Sequence, residues 1–224
     1  MRLWHRFIHP ISAHFRSRRA VELLKHYPAL TEWTICDLGG SRHFWQESKL
    51  NVDPAKVTIL NISLDEIEAY GDSSTQQIIT VLYDGHTIPF SNGSYDLLVC
   101  NSILEHVAPS DREGLCKEMR RVAKRIYLQT PAFEFPIEPH FVIPFVHWLP
   151  RKLGRVVARI GLWNLLSRPR DSVFDSYFNE THLLNKKDME KLFPDATLST
   201  EKFAGIPKSY LIFWEDSSGT SRSK

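Results

Sequence analysis

The feature that most constrains this sequence is a series of short apolar runs, each ending in small or polar residues. Trp33-Thr-Ile-Cys stops at Asp37-Leu38-Gly39-Gly40-Ser41, and Val57-Thr-Ile-Leu runs into Asn61. Gln77–Tyr83 is followed by Asp84-Gly85, and Tyr95–Cys100 by Asn101-Ser102. A fifth run, Arg125–Thr130, meets Pro131. Runs this short and bounded by turn residues suit strands better than helices. A helical stretch, Asp111–Ala123, separates the fourth from the fifth, with Leu115, Met119 and Val122 on its apolar stripe and Arg112, Lys117 and Arg120 facing water. Such alternation predicts an α/β fold whose parallel sheet is covered by helices on both faces. A helix over Lys186–Phe193 and two closing strands, Ala196–Phe203 and Ser209–Trp214, add an antiparallel pair at one edge.

At 224 residues the chain suits one domain with an elaboration. Residues 1–30 are expected to form an N-terminal helical segment, interrupted at Pro10, and 31–215 the main domain. Within it, 131–178 breaks the rhythm, with Pro131, Pro136, Pro139, Pro144 and Pro150 among aromatic residues and then a basic amphipathic helix. Because it follows the fifth strand, it is read as an insertion laid over the sheet. The Ser-rich tail 216–224 is expected to be disordered.

Charge is unevenly spread. Residues 1–25 carry a net +5 and 151–170 a net +6, in a chain whose total is only +2. Such asymmetry fits a basic face toward an anionic partner, or two solvated helix faces. On the second basic segment Leu153, Val156, Val157, Ile160 and Trp163 share a face, which suits either packing on the domain or an interfacial helix. Peripheral membrane contact through 151–165 is therefore one expectation. No apolar run reaches the ~18 residues of a membrane span, and His5, Arg6 and His9 break up the apolar start a signal peptide needs. Three widely spaced cysteines, Cys36, Cys100 and Cys116, give no disulfide framework. These features point to a cytoplasmic protein, peripheral at most at the inner face of a membrane.

In an open α/β sheet, ligands bind beyond the carboxyl ends of the strands, where strand order reverses. Here those ends carry Asp37, Gly39, Gly40, Ser41, Asn61, Asp84, Gly85, Asn101 and Ser102. Over roughly residues 33–130 this pattern resembles the class I S-adenosylmethionine-dependent methyltransferases. Ile35-Cys-Asp-Leu-Gly-Gly-Ser is similar to the family's first motif, an acid before a glycine-rich turn. Leu82-Tyr-Asp-Gly-His and Asn101-Ser-Ile-Leu-Glu-His-Val resemble the segments after strands three and four. The resemblance implies a Rossmann-like, mostly parallel seven-stranded sheet and S-adenosylmethionine as cofactor. It places Asp37, Gly39, Gly40 and Ser41 at the methionine end, Asp84 and Gly85 at the adenine, and Asn101 along the cofactor.

Two positions depart from the family pattern. Ser41 stands where a second glycine is usual, and Asn61 where an Asp or Glu holds the ribose hydroxyls. An amide can serve there without the charge-assisted strength of a carboxylate, and Asp65 is the alternative anchor.

For an alcohol acceptor, methyl transfer needs a general base within hydrogen-bond reach. Glu138 and His140 flank Pro139 in the insertion, and His106 follows the fourth strand. These are the candidate catalytic residues, each of which could equally satisfy loop backbone. Glu134, Glu138, His140 and His147 match no compact metal-ligand spacing, so no metal is expected. No nucleophile elbow surrounds Ser102.

The resemblance implies a small-molecule acceptor. Phe135-Pro-Ile-Glu-Pro-His resembles the insertions of methyltransferases from bacterial surface-saccharide pathways, which favours O-methylation of a sugar or similar hydroxylated metabolite. Lipid or quinone methylation at a membrane surface, and a non-catalytic binding module, stay open. Nucleic acid is disfavoured, because Asn101-Ser-Ile-Leu lacks the Asn/Asp-Pro-Pro-aromatic pattern of amino-methylating enzymes, and Cys100 and Cys116 lack a proline-cysteine setting.

Overall fold

The computed structural model describes residues 15, 17–47, 50–63, 77–161, 164–165 and 169–217. Seven strands form one sheet: β1 (Ile35–Leu38), β2 (Val57–Asn61), β3 (Ile79–Leu82), β4 (Leu97–Asn101), β5 (Arg125–Pro131), and further along the chain β8 (Thr197–Phe203) and β9 (Ile206–Glu215). Their order is β3-β2-β1-β4-β5-β9-β8, parallel from β3 through β5 and antiparallel at β9 and β8. The expected seven-stranded sheet with an antiparallel edge is thus observed. Order reverses between β1 and β4, so a crevice opens beyond their carboxyl ends.

Both faces are apolar because successive strand residues point to opposite sides. Ile35, Leu97, Val99, Tyr127 and Phe213 pack with Ala20, Leu23, Tyr27 and Leu30 on one face. Ala20 and Leu23 come from helix α1, residues 17–26. Cys36, Leu98, Cys100, Ile126 and Leu128 pack on the other face with Leu115 and Met119 of α3 (Arg112–Val122) and Met189 of α6 (Lys186–Leu192). A short helix α2 (Arg42–Glu47) follows the turn after β1. The three cysteines are buried and unpaired.

Strand starts fall later than the apolar runs suggest. Trp33 caps a 3-10 turn over Leu30–Glu32. Thr34 ties its N–H and hydroxyl to the Asp96 carboxylate, and its carbonyl accepts from Asp96 and Leu97 N–H. Tyr95 contributes one isolated bridge, to Ala123, rather than a strand. In each case backbone groups are satisfied locally before the ladder begins.

After β5 the chain forms a two-stranded hairpin, β6 (Ile137–Glu138) with β7 (Ile143–Pro144), then α4 (Arg151–Ile160) and α5 (Asp171–Glu180). This segment has its own small core of Phe141, Ile143, Val146, Ala158 and Phe174. The positive charge of α4 is answered within the protein. Arg155 pairs with Asp175 at 2.7 Å, Arg159 with Asp171 at 2.7 Å, and Arg151 donates to the Phe178 and Asn179 carbonyls. The residues of α4 that pack inward are Gly154, Ala158 and, partly buried, Val157, while Leu153, Val156 and Ile160 are 51%, 61% and 77% exposed. Trp163 and Asp65 lie outside the described residues, as do residues 1–14 and 16 of the N-terminal segment and 218–224. No described helix is long and apolar enough to cross a membrane.

One side chain fastens the segment between β3 and β4. Arg121 donates to the Ile88 and Phe90 carbonyls, to Asn92 Oδ1, and to both oxygens of Glu118, which in turn accepts from Ile88 N–H. Arg121→Ala should destabilise the protein by about 1–3 kcal/mol, since it strands several carbonyls. Denaturant unfolding with amide exchange checks this, and faster exchange confined to residues 86–95 is the expected signature.

Candidate functional site

Asp37 is the penultimate residue of β1 and is buried. Trp45 Nε1, from α2, donates to its Oδ2 at 2.6 Å, while Oδ1 is buried with no partner. Burial pushes the Asp37 carboxyl up to about 7, against the lowering effect of the Trp45 hydrogen bond. The chain then turns sharply, with Gly39 at φ +67° and its N–H on the Leu60 carbonyl at 2.7 Å. A Cβ on Gly39 would strike the Ile103 side chain, and one on Gly40 would land on the Asp37 carboxylate. Both glycines are therefore required by space, and Ser41 immediately precedes α2.

Asn61 ends β2, buried, with its Oδ1 accepting from Ile62 N–H at 2.8 Å. That bond takes one of the two lone pairs of the amide oxygen. Asp84 is exposed beyond β3. Its Oδ1 accepts from His86 N–H at 2.8 Å and Thr87 N–H at 2.7 Å, and these bonds hold its carboxyl below the usual range. Gly85 adopts φ +84°, a conformation that favours glycine. Asp37 and Asp84 emerge on the same edge of the sheet, from strands separated only by β2. Neighbouring strands lie about 4.8 Å apart, so one adenosyl-sized ligand can span them.

Beside this crevice, at the ends of β4, β5 and β9, lies a cavity of about 490 Å³. Its walls are mainly apolar, including Phe15 and Leu23 near or on α1, Phe44 on α2, Phe135 in the insertion and Phe203 at the end of β8. Asn101 and Ser102 form its polar floor with Gln129. Ser102 holds φ +54° because it is pinned twice to Gln129: N–H to carbonyl at 2.9 Å and hydroxyl to Oε1 at 3.0 Å.

The three candidate bases converge, although 34 residues separate His106 from His140. Glu138 is buried, and its Oε2 accepts from His140 N–H at 2.9 Å and Phe141 N–H at 2.7 Å. Its Oε1 meets His140 Nδ1 at 2.6 Å. His140 Nε2 in turn faces His106 Nε2 at 3.1 Å. The Glu138 carboxylate is thus committed to the turn and to His140, which makes it a positioning residue. Burial pulls His140 down, but the Glu138 hydrogen bond and the charges of Glu138 and Glu105 outweigh it and leave His140 raised. Burial, aided by the charge of His140, draws His106 down to about 4. A proton on His140 Nε2 donated to neutral His106 satisfies both directions.

Glu105, beside His106 in the 3-10 turn Leu104–His106, was not singled out from sequence. It is buried; its Oε2 accepts from the Thr130 hydroxyl at 3.0 Å, and Oε1 has no partner. Arg112 braces this turn, donating to the Val107 and His182 carbonyls, while His182 N–H donates to the Glu105 carbonyl. Glu134 and His147 are engaged elsewhere, by the Tyr210 hydroxyl and the Phe133 carbonyl.

Residues 37–125 match the family model described as a methyltransferase domain. The fold resembles that of the PH0226 protein from Pyrococcus horikoshii OT3, at 17% identity over 88% of this chain and 90% of that one, TM-score 0.55. It also resembles a SAM-dependent methyltransferase from Aquifex aeolicus, at 10% identity over 87% of each chain, TM-score 0.51. The N-terminal domain of EvdMO1 with SAH bound is similar at 16% identity, 89% of this chain, 80% of that one and TM-score 0.51. No curated protein matches the sequence. The sheet order and strand-end crevice define a Rossmann-like α/β protein with a ligand site at its switch point. The family match runs across that crevice, and together with the fold it supports a class I S-adenosylmethionine-dependent methyltransferase.

The site fits that cofactor. A buried carboxylate oxygen without a partner asks for a donor or cation, and the glycines beside it leave backbone free to approach.

Asp37 should make stability depend on pH. Because its carboxyl is raised in the folded state, its contribution is complete below about pH 4 and is lost as pH climbs through about 7. In the unliganded protein Asp37→Asn should flatten this slope, and thermal melts across pH 4–8 read it. Gly40→Ala should abolish cofactor binding or folding, as calorimetry and circular dichroism together would show.

Proposed function

We propose that this enzyme transfers a methyl group to a hydroxyl of a small acceptor with an apolar body, held in the 490 Å³ cavity beside the cofactor crevice. The observation that carries this reading is the cavity itself, floored by Asn101 and Ser102 at the end of the strand next to Asp37. When bound, S-adenosylmethionine supplies a sulfonium-activated methyl group. Asp37, the Gly39-Gly40 turn, Asn61 and Asp84-Gly85 bind and orient it, and Asn101 borders both ligands. The apolar walls exclude water and align the acceptor, which supplies most of the acceleration. Most of the cavity wall is apolar, while Arg19, Lys208 and Ser209 add polar partners to Asn101, Ser102 and Gln129. A lipid-like or quinone-like acceptor, or a glycoside with an apolar portion, suits it.

In the metal-free protein, His106 and His140 are proposed to handle the acceptor's proton through Nε2, a role that a bound ion would take over. Ser102 and Pro139, their near neighbours in the chain, line the cavity, and Glu138 orients His140 through Nδ1. Replacing either histidine with alanine should cut turnover by about 10²–10⁴-fold. S-adenosylhomocysteine affinity, measured by calorimetry, should stay within about threefold in both variants. Undiminished transfer of labelled methyl would remove both residues from the mechanism. Absence of any heat with the cofactor product would instead favour a binding module.

A second reading concerns the membrane surface. The outward Leu153, Val156 and Ile160 on α4, with Phe145 and Trp148 exposed just before it, form an apolar ridge. Its arginines are spent on α5, so attachment would rest on apolar insertion. Co-sedimentation with vesicles should therefore depend little on anionic lipid, and Val156→Asp/Ile160→Asp should abolish it.

A further inference from the structure

Glu105, His106 and His140 each present a ligand atom, and these three atoms lie within 4.8 Å of one another. We propose that they form a binding site for one divalent transition-metal ion. Two imidazole nitrogens and one carboxylate are a donor set suited to zinc, iron or manganese. The two Nε2 atoms are 3.1 Å apart, so an ion about 2.1 Å from each would see them at roughly 95°. That angle leaves further positions open around the ion.

Three independent features point the same way. The Glu105 Oε1 atom is buried without a partner, although its carboxylate is anchored at Oε2 by Thr130. Glu138 grips His140 by Nδ1 at 2.6 Å and so turns Nε2 toward His106, the carboxylate–imidazole arrangement that fixes the tautomer of metal-binding histidines. Charge also balances, since the two buried carboxylates Glu105 and Glu138 together match a divalent cation. Sequence spacing hid this set, because His140 joins the adjacent pair only through the hairpin after β5.

Chain neighbours of the cluster line two cavities. Glu138 and His182 line one, of about 310 Å³, and Pro139 lines the acceptor cavity. An ion's open positions are where an acceptor oxygen would be held. That clause rests on the proposed acceptor, whereas the ion site stands apart from it.

The test is titration of untagged, chelator-treated full-length protein with cobalt(II), followed by visible absorption. One ion per chain is expected, with bands of mixed nitrogen and oxygen ligation. Glu138→Gln should weaken binding about 10–100-fold. His106→Ala and His140→Ala should each weaken it further, while S-adenosylhomocysteine affinity and circular dichroism report that the fold is intact. Lack of saturable binding overturns the proposal, as does binding that survives in both histidine variants. Glu105→Gln keeps the shape and the Thr130 contact, and unaltered cobalt spectra in it would remove Glu105 from the site. Cobalt binding without transfer to any hydroxylated acceptor leaves the ion site standing and removes the acceptor reading. Transfer by protein that takes up no cobalt does the reverse.

Discussion

A carboxylate buried at the end of a central strand, half satisfied by an indole and half unsatisfied, organises this molecule. Asp37 reaches that position because β1 lies between β2 and β4, where strand order reverses. Trp45 restrains one oxygen, and the glycine turn packs so closely on the carboxylate that no Cβ fits. Burial favours the protonated carboxyl, and a ligand bearing a donor would complete the uncompensated oxygen. The local strain and the local chemistry therefore have one origin.

The same logic holds at the second polar centre. Glu105, Glu138, His106 and His140 are brought together by a turn after β4 and a hairpin after β5, two segments that meet only because β4 and β5 are parallel neighbours. Glu138 satisfies two N–H groups of its own turn, so it fixes the hairpin and His140 in one act. Arg112 fixes the other half by holding the backbone around Glu105 from α3. A buried polar cluster of this kind is stable only when nearly every member has a partner, and Glu105 Oε1 is the member that does not.

The fold was legible in the sequence because near-continuous apolar runs ending in Asp37-Leu-Gly-Gly, Asn61, Asp84-Gly85 and Asn101 follow directly from a parallel sheet buried on both faces. The candidate bases were legible as residue types, since Glu138 and His140 are close in the chain. Their meeting with His106 was not, because it depends on how the hairpin folds back. Glu105 was overlooked for a related reason: an acid beside a histidine on a short turn looks solvent-facing until the Thr130 contact is seen. The charge of α4 invited an external partner, yet Asp171 and Asp175 lie in a helix whose approach no local pattern reveals.

The cavity walls come from both ends of the chain and from the insertion. Among the described residues of the stretch 37–125 that matches the family, Phe44, Asn101 and Ser102 line the cavity. On the proposed reading, donor recognition and acceptor shape are thus written in separate stretches of polypeptide. Over evolutionary time, the pocket for the incoming molecule can be remodelled at α1, the hairpin or the β8–β9 edge without disturbing the half of the machine that carries the methyl group.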